Sequence, residues 1–290
     1  MTTVNILLRG QSNADLFGSE DIGAGYVPGV SDATGLEYTS YLVSELTGLA
    51  VNLIYQGDAG GIASGTVPVS YGGYPVDTAA QNTGLMPTGG ASTTWLTTDP
   101  STGALEGGNL ENLLIGGIDG LSPSIRTLPT AVLWLWNEND SGVVGALDAN
   151  SSQGTAISTW ENDVSYDMNA VRAAFNYNGV ANNNIPYVFI NPIPYAALSA
   201  NSIDQVGEQD IKVAMQQMAN LNPSQVTVTA NNGDMNMNNN GGDTNIAGNS
   251  SVFGGPHLSP YDIGVVAYRS ALAVANQFAA LANPGTALKS

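Results

Sequence analysis

Short apolar runs alternate along the chain with longer amphipathic stretches, the pattern of a parallel sheet with crossover helices. Val4–Leu8 predicts a first strand that ends at Arg9-Gly10, and Leu36–Leu46 a helix stopped by Gly48. Val51–Tyr55 predicts a second strand, which runs into Gly57 and the pair Gly60-Gly61. Thr130–Trp136 is apolar almost throughout, as expected of a strand covered on both faces. Trp160–Phe175 predicts a helix, Ile185–Ile190 a fourth strand ending at Asn191-Pro192, Ile203–Ala219 a helix and Gln225–Thr229 a short fifth strand. The last helix is predicted over Tyr261–Leu281, with Pro260 just before its start. Five strands with intervening helices predict one α/β domain over residues 1–290, with no linker that divides it.

Two segments do not fit the sheet. Residues 62–108 are rich in Gly, Thr, Ser and Pro and long for a connection, so they read as an insertion packed near the strand ends. Residues 231–256 are Asn/Gly-rich and nearly devoid of apolar side chains, and loops of such length in compact domains are usually functional or disordered. Asn231–Asp243 offers side-chain oxygens suited to Ca²⁺ but lacks a ligand spacing that marks a calcium loop, so it reads first as a plain polar loop. No internal repeat is evident.

Composition narrows the function classes. Of 290 residues, 24 are acidic and 6 basic, for a formal charge of -18, and the few arginines and lysines never cluster. Nucleic-acid binding needs a positive footprint to displace phosphate counterions, so DNA, RNA and anionic membrane surfaces are poor partners. An uncharged sugar or ester suits such a field better. No apolar run approaches the ~20 residues of a membrane-spanning helix, and the absence of cysteine removes a disulfide framework or thiolate metal site. No cofactor motif follows a strand: there is neither G-x-G-x-x-G nor G-x-x-x-x-G-K-[ST], which disfavours a nucleotide-binding doubly wound protein. A polar, weakly charged surface is common in exported or phage-borne proteins; Met1-Thr2-Thr3 passes straight into Val4–Leu8 without a legible signal peptide.

Ligands of open parallel sheets bind beyond the carboxyl ends of the strands, so the residues just after each strand matter most. Gly10-Gln11-Ser12-Asn13 follows the first, Gly60-Gly61 the second, Asn137-Glu138-Asn139-Asp140 the third, and His257-Leu258-Ser259 lies beyond the fifth across the polar loop. His257 is the one histidine in the chain. Singly, each has an ordinary reading. Ser12 caps a helix, Gly60-Gly61 and Asn137 to Asp140 make turns, and His257 caps or decorates a helix start. Jointly they supply a nucleophile, backbone donors, an amide and a base where a site is expected.

In that order the blocks resemble those of the SGNH hydrolases, and more narrowly the GQSN-type carbohydrate acetylesterases, which include sialate and xylan acetylesterases. Gly10-Gln11-Ser12-Asn13 is similar to their first block. Trp134 to Asp140 matches in part both the W-x-Q-G-E-x-D of that branch and the G-x-N-D of the wider superfamily, with Asn137 in place of the usual Gly. His257-Leu258-Ser259-Pro260, followed by Gly264, Ala267 and Arg269, is similar to the last block, so the resemblance spans Val4 to about Ala280. It implies a three-layer α/β/α sandwich around a five-stranded parallel sheet of flavodoxin-like order, and a serine esterase acting on O-acetyl groups of a carbohydrate, without a cofactor.

Carried over residue by residue, the resemblance makes Ser12 the nucleophile and one backbone oxyanion donor, Gly61 a second, the Asn139 amide a third, and His257 the general base. Gly89-Gly90-Ala91-Ser92-Thr93-Thr94-Trp95 also looks like the acetylesterases' G-G-T-x-x-x-W segment, which keeps Gly90 as the alternative to Gly61. The chemistry suits these residue types: a serine hydroxyl needs a base to become nucleophilic, and the oxyanion needs fixed donors. The family's D-x-x-H motif has Gly254 where its Asp belongs. This leaves a Ser–His dyad, an acid from elsewhere (Asp234, Asp243 or Asp262), or an inactive protein. Tyr71 and Tyr74 around Gly72-Gly73, with Trp95 and Trp160, are candidate platforms for sugar rings, although the two tyrosines also suit a small core of the insertion itself; Trp134 and Trp136 read as core. The competing reading is a non-catalytic carbohydrate-binding or adhesin module on the same fold.

Overall fold

The computed structural model of the chain describes residues 2–10, 14, 17–18, 21–55, 96–99, 101–135, 138–176, 184–193, 202–232, 258 and 260–281. Five parallel strands form the central sheet: β1 (Thr3–Arg9), β2 (Ala50–Tyr55), β5 (Thr130–Leu135), β6 (Tyr187–Ile190) and β7 (Val226–Val228), in the order β2-β1-β5-β6-β7. Every residue of β5 is buried, as its unbroken apolar sequence requires. Thr3 pairs with Ala50, Asn5 with Thr130, Val132 with Tyr187 and Tyr187 with Val226, so one register runs across the sheet. A separate antiparallel pair, β3 (Leu96–Thr98) with β4 (Leu105–Gly107), lies within the segment read as an insertion.

The helices are α1 (Gly35–Thr47), α2 (Asn109–Gly120), α3 (Pro123–Arg126), α4 (Glu138–Asn150), α5 (Gln153–Ala174), α6 (Ile203–Leu221) and α7 (Pro260–Gln277), with a 3₁₀ turn at Ala279–Leu281. Helix α1 starts with a capping box between Thr34 and Glu37 and stops at Gly48 in the left-handed conformation. The chain steps from β1 outward to β2 and then back past β1 to β5. With right-handed crossovers, that reversal puts α1 on one face and the next helices on the other. Accordingly α1 packs against α7, while α4, α5 and α6 pack on one another and α2 on α5. The result is the three-layer α/β/α arrangement expected of this strand order.

Four elements depart from the sequence reading. Helix α5 begins already at Gln153, because Ser152 caps it by accepting from the Thr155 N–H, and its first turns bury Ala156 and Ile157. Strand β6 begins at Tyr187, since Pro186 has no N–H to give the ladder. Helices α2 and α4 were not predicted: Gly116 and Gly117 interrupt the first, and Glu-Asn-Asp-Ser-Gly opens the second, residue types that favour turns.

Candidate active site

The order of strands reverses between β1 and β5, which makes the carboxyl ends of these two neighbours the switch point of the sheet. Arg9 of β1 pairs with Trp134 of β5, so the two strands end side by side. Gly10 follows with φ 148°, and a Cβ there would stand 2.2 Å from the Leu135 carbonyl oxygen and 2.7 Å from Ala14 Cβ. Only glycine permits that approach and that backbone. Gly10 thus lies directly against the end of β5, and Asn139 occupies the first turn of α4, the helix that follows β5.

The other flanks converge as well. Phe17 and Ile263 both abut the Cα of Gly35, where an added Cβ would meet Ile263 Cγ2 at 2.5 Å and Phe17 Cδ2 at 2.9 Å. Phe17 and the first turns of α7 thus meet at the start of α1. Leu258 is buried, and Asp262, in the first turn of α7, is buried too. The loop that leads to His257 is pinned at its origin: Asn191 donates its N–H to Thr229 Oγ1 at 2.9 Å, Asn232 Nδ2 donates to the Asn191 carbonyl, and Arg269 Nη1 donates to Asn232 Oδ1 at 2.7 Å. Asn232, beyond the end of β7, is thereby tied both to the end of β6 and to α7.

Ser12, Gly61, Tyr71, Tyr74, Trp95 and His257 themselves lie outside the described residues, as do Gly90, Gly254, Asp234 and Asp243. One expectation is overturned. Trp160 is no sugar platform: it is 2% exposed, its Nε1 donates to the buried Asp140 carboxylate at 3.3 Å, and it packs with Trp134 and Phe189. Trp134, read as core, is core.

Beneath the switch point lies a charged cluster that sequence reasoning missed. Arg9 Nη1 donates to both carboxylate oxygens of Asp167 on α5, Nη2 stands 3.7 Å from Glu111 Oε2 on α2, and the guanidinium lies over the Trp134 ring at 5.3 Å from its centroid. All three charged side chains are almost wholly buried. Burial pulls the Arg9 guanidinium down, but Asp167 and Glu111 outweigh it and hold it above its usual range. Burial, then the Asp167 charge, push the Glu111 carboxyl well up against the opposing pull of Arg9. A side-chain hydrogen bond to Asp167 adds to the same direction and favours the neutral acid. Tyr187 is likewise held protonated, by burial first and Asp167 second. The signal for this cluster was an arginine ending an apolar strand in a chain with so few cations: such a buried charge requires a partner.

Among the described residues no group of His, Asp and Glu is placed to hold a metal ion, and no helix is long and apolar enough to cross a membrane. No family model and no curated protein matches the chain. Solved structures similar to it include the aryl esterase of M. smegmatis (15% identity, TM-score 0.43), which covers 96% of this chain and 99% of that one. They also include a carbohydrate acetylesterase from Sinorhizobium meliloti (14% identity, TM-score 0.44, 96% and 99%). A protein from Arabidopsis thaliana is similar to the same extent (12% identity, TM-score 0.45, 96% and 99%). The activities in those names belong to those proteins, and at this degree of likeness the site of the present chain has to be read from its own residues.

Proposed function

We propose that this protein is a serine esterase of the SGNH type that removes acyl groups, O-acetyl above all, from a carbohydrate. The observation that carries the reading is the meeting of chain segments at the switch point. Gly10, two residues before Ser12, lies against Leu135, four before Asn139, while Phe17 and Ile263, five residues after Ser12 and six after His257, both abut Gly35; this supports the reading.

In this reading the Ser12 hydroxyl attacks the ester carbonyl carbon while the His257 imidazole accepts its proton. The negative charge on the carbonyl oxygen is received by the Ser12 and Gly61 N–H groups and the Asn139 amide. Collapse breaks the bond to the sugar oxygen, which takes the proton back from His257. Water then attacks the acyl-enzyme with His257 again as base, and acetate leaves with Ser12 restored. Gly254 in the place of the usual aspartate makes this a Ser–His dyad or assigns the orienting role to another acid; triad roles are set by geometry rather than chain position. The buried Asp262, in the first turn of α7, is the described candidate for that role. The net charge of -18 favours an uncharged substrate over an anionic one.

Hydrolysis of p-nitrophenyl acetate tests the reading. Ser12→Ala and His257→Ala should each abolish turnover with circular dichroism unchanged, and Asn139→Ala should lower kcat by about 10²-fold with little change in KM. Wild-type turnover in both of the first two variants would rule out the assignment and leave the binding-module alternative.

A further inference from the structure

The outer surface of the α1/α7 layer carries an unusual concentration of tyrosine. Tyr26 and Tyr38 meet edge to face with ring centroids 4.9 Å apart, and the Tyr26 ring lies against Gly264 near the start of α7. Tyr26, Tyr268 and Tyr41 stand close enough to Tyr38 that, after its partial burial, each helps keep that phenol protonated. Along α7, Tyr261 (56% exposed), Val265, Tyr268 (51%) and Leu272 (39%) recur at helical spacing and form one outward stripe. The two helices run side by side, with Gly35 on Ile263 and the Thr39 hydroxyl donating to the Ala267 carbonyl. Their first turns, which hold Tyr38 and Tyr261, lie where Phe17 and Ile263 meet on Gly35, and the patch extends from there along the layer.

The chemistry of this patch restricts its occupant. Half-exposed tyrosines present a flat apolar ring with a hydroxyl at its edge, suited to a ligand with apolar faces and a rim of hydroxyls. Helix α1 has no basic residue and carries Glu37 and Glu45, while the one cation of α7, Arg269, is engaged with Asn232. An anionic polymer finds nothing to pair with here. A second copy would bring a further -18 against the same acidic face. A hydroxyl-rich, uncharged chain meets neither obstacle.

We propose that the Tyr26/Tyr38/Tyr41/Tyr261/Tyr268 face is a docking surface for a neutral polysaccharide, holding the chain whose ester groups reach the adjoining site. The inference rests on the esterase reading for the purpose of the docking but not for its existence, and one experiment separates the two. Electrophoresis is run in native gels containing acetylated xylan, acetylated glucomannan or amylose, with the full chain as wild type, as Ser12→Ala and as Tyr261→Ala/Tyr268→Ala. At least one polysaccharide should retard wild type and Ser12→Ala equally. The double tyrosine variant should run unretarded while keeping wild-type turnover of p-nitrophenyl acetate. On the retarding polymer, if acetylated, its KM should rise by about tenfold with kcat preserved, the scale of losing one or two ring contacts. The proposal is overturned if none of the three polymers retards wild type, or if the double variant is retarded as wild type is. It is also overturned if sedimentation shows a dimer that the double substitution dissociates, since the face then belongs to a second copy. Absence of esterase turnover in wild type with retardation intact refutes the catalytic reading and leaves the docking surface standing.

Discussion

The two faces of β1 are held by opposite means. Odd-numbered residues point toward α2, α3 and α5 and are polar at both ends of the strand. Asn5 Nδ2 donates to the Ile125 carbonyl and to Thr130 Oγ1, and Arg9 is locked between Asp167 and Glu111. Even-numbered residues, Val4, Ile6 and Leu8, are wholly buried and apolar, and that layer closes through a near-contact of chains at Gly35. One face therefore fixes the end of β1 by directed charge, the other fixes the neighbouring helix starts by shape. The sequence blocks that carry Ser12 and His257 adjoin these two anchored ends along the chain, two residues after Gly10 and three before Pro260.

The strongest way to break this contrast is to remove the charge on the first face. Arg9→Met leaves Asp167 buried without its cation and should cost about 3–5 kcal/mol, as losing one partner of a buried pair does. Urea denaturation near neutral pH measures it. If the loss is below 1 kcal/mol, the cluster is not what anchors the strand.

Shape is next. Gly35→Ala places a methyl in contact with the tips of Ile263 and Phe17, which yield more easily than backbone does, so the expected loss is about 1–3 kcal/mol. Because the displaced groups flank Ser12 and His257, kcat for p-nitrophenyl acetate should fall with KM nearly unchanged. A loss of stability with full turnover would separate the packing of α1 from the site.

The smallest effect sharpens the comparison. Unfolded, Glu111 titrates at its ordinary 4.5, whereas burial and the Asp167 charge raise it in the folded chain. Between the two values the folded state holds a proton the unfolded state has lost, so stability falls as pH rises through that interval. Glu111→Gln keeps the shape and removes the titration. It should match wild type near pH 4 and exceed it near pH 8, with urea midpoints as the readout; a constant difference across that range would show that Glu111 does not titrate there.

The strands were legible because β1, β5 and β6 each carry a short apolar run bounded by Gly, Asn or Pro, a pattern that survives without tertiary knowledge. Helix α4 was not, because Asn139, Asp140, Ser141 and Gly142 at its start are residues of turns, and only the packing of Val143, Val144 and Ala146 makes them helical. The place of Asn139, in the first turn after β5, followed from the strand it succeeds. The Arg9 cluster did not, since its partners lie on α2 and α5, far along the chain, and no local period links them. Trp160 misled for the same reason: its partners Asp140, Trp134 and Phe189 come from three other elements.

The most direct test of the central claim is covalent labelling of the native protein with a fluorophosphonate, mapped by peptide mass. A hydroxyl poised beside a base should give one adduct, on Ser12, and His257→Ala should suppress it by about 10²-fold or more, the scale of a general base. Labelling that is absent from the wild-type protein, or undiminished in His257→Ala, would contradict the account.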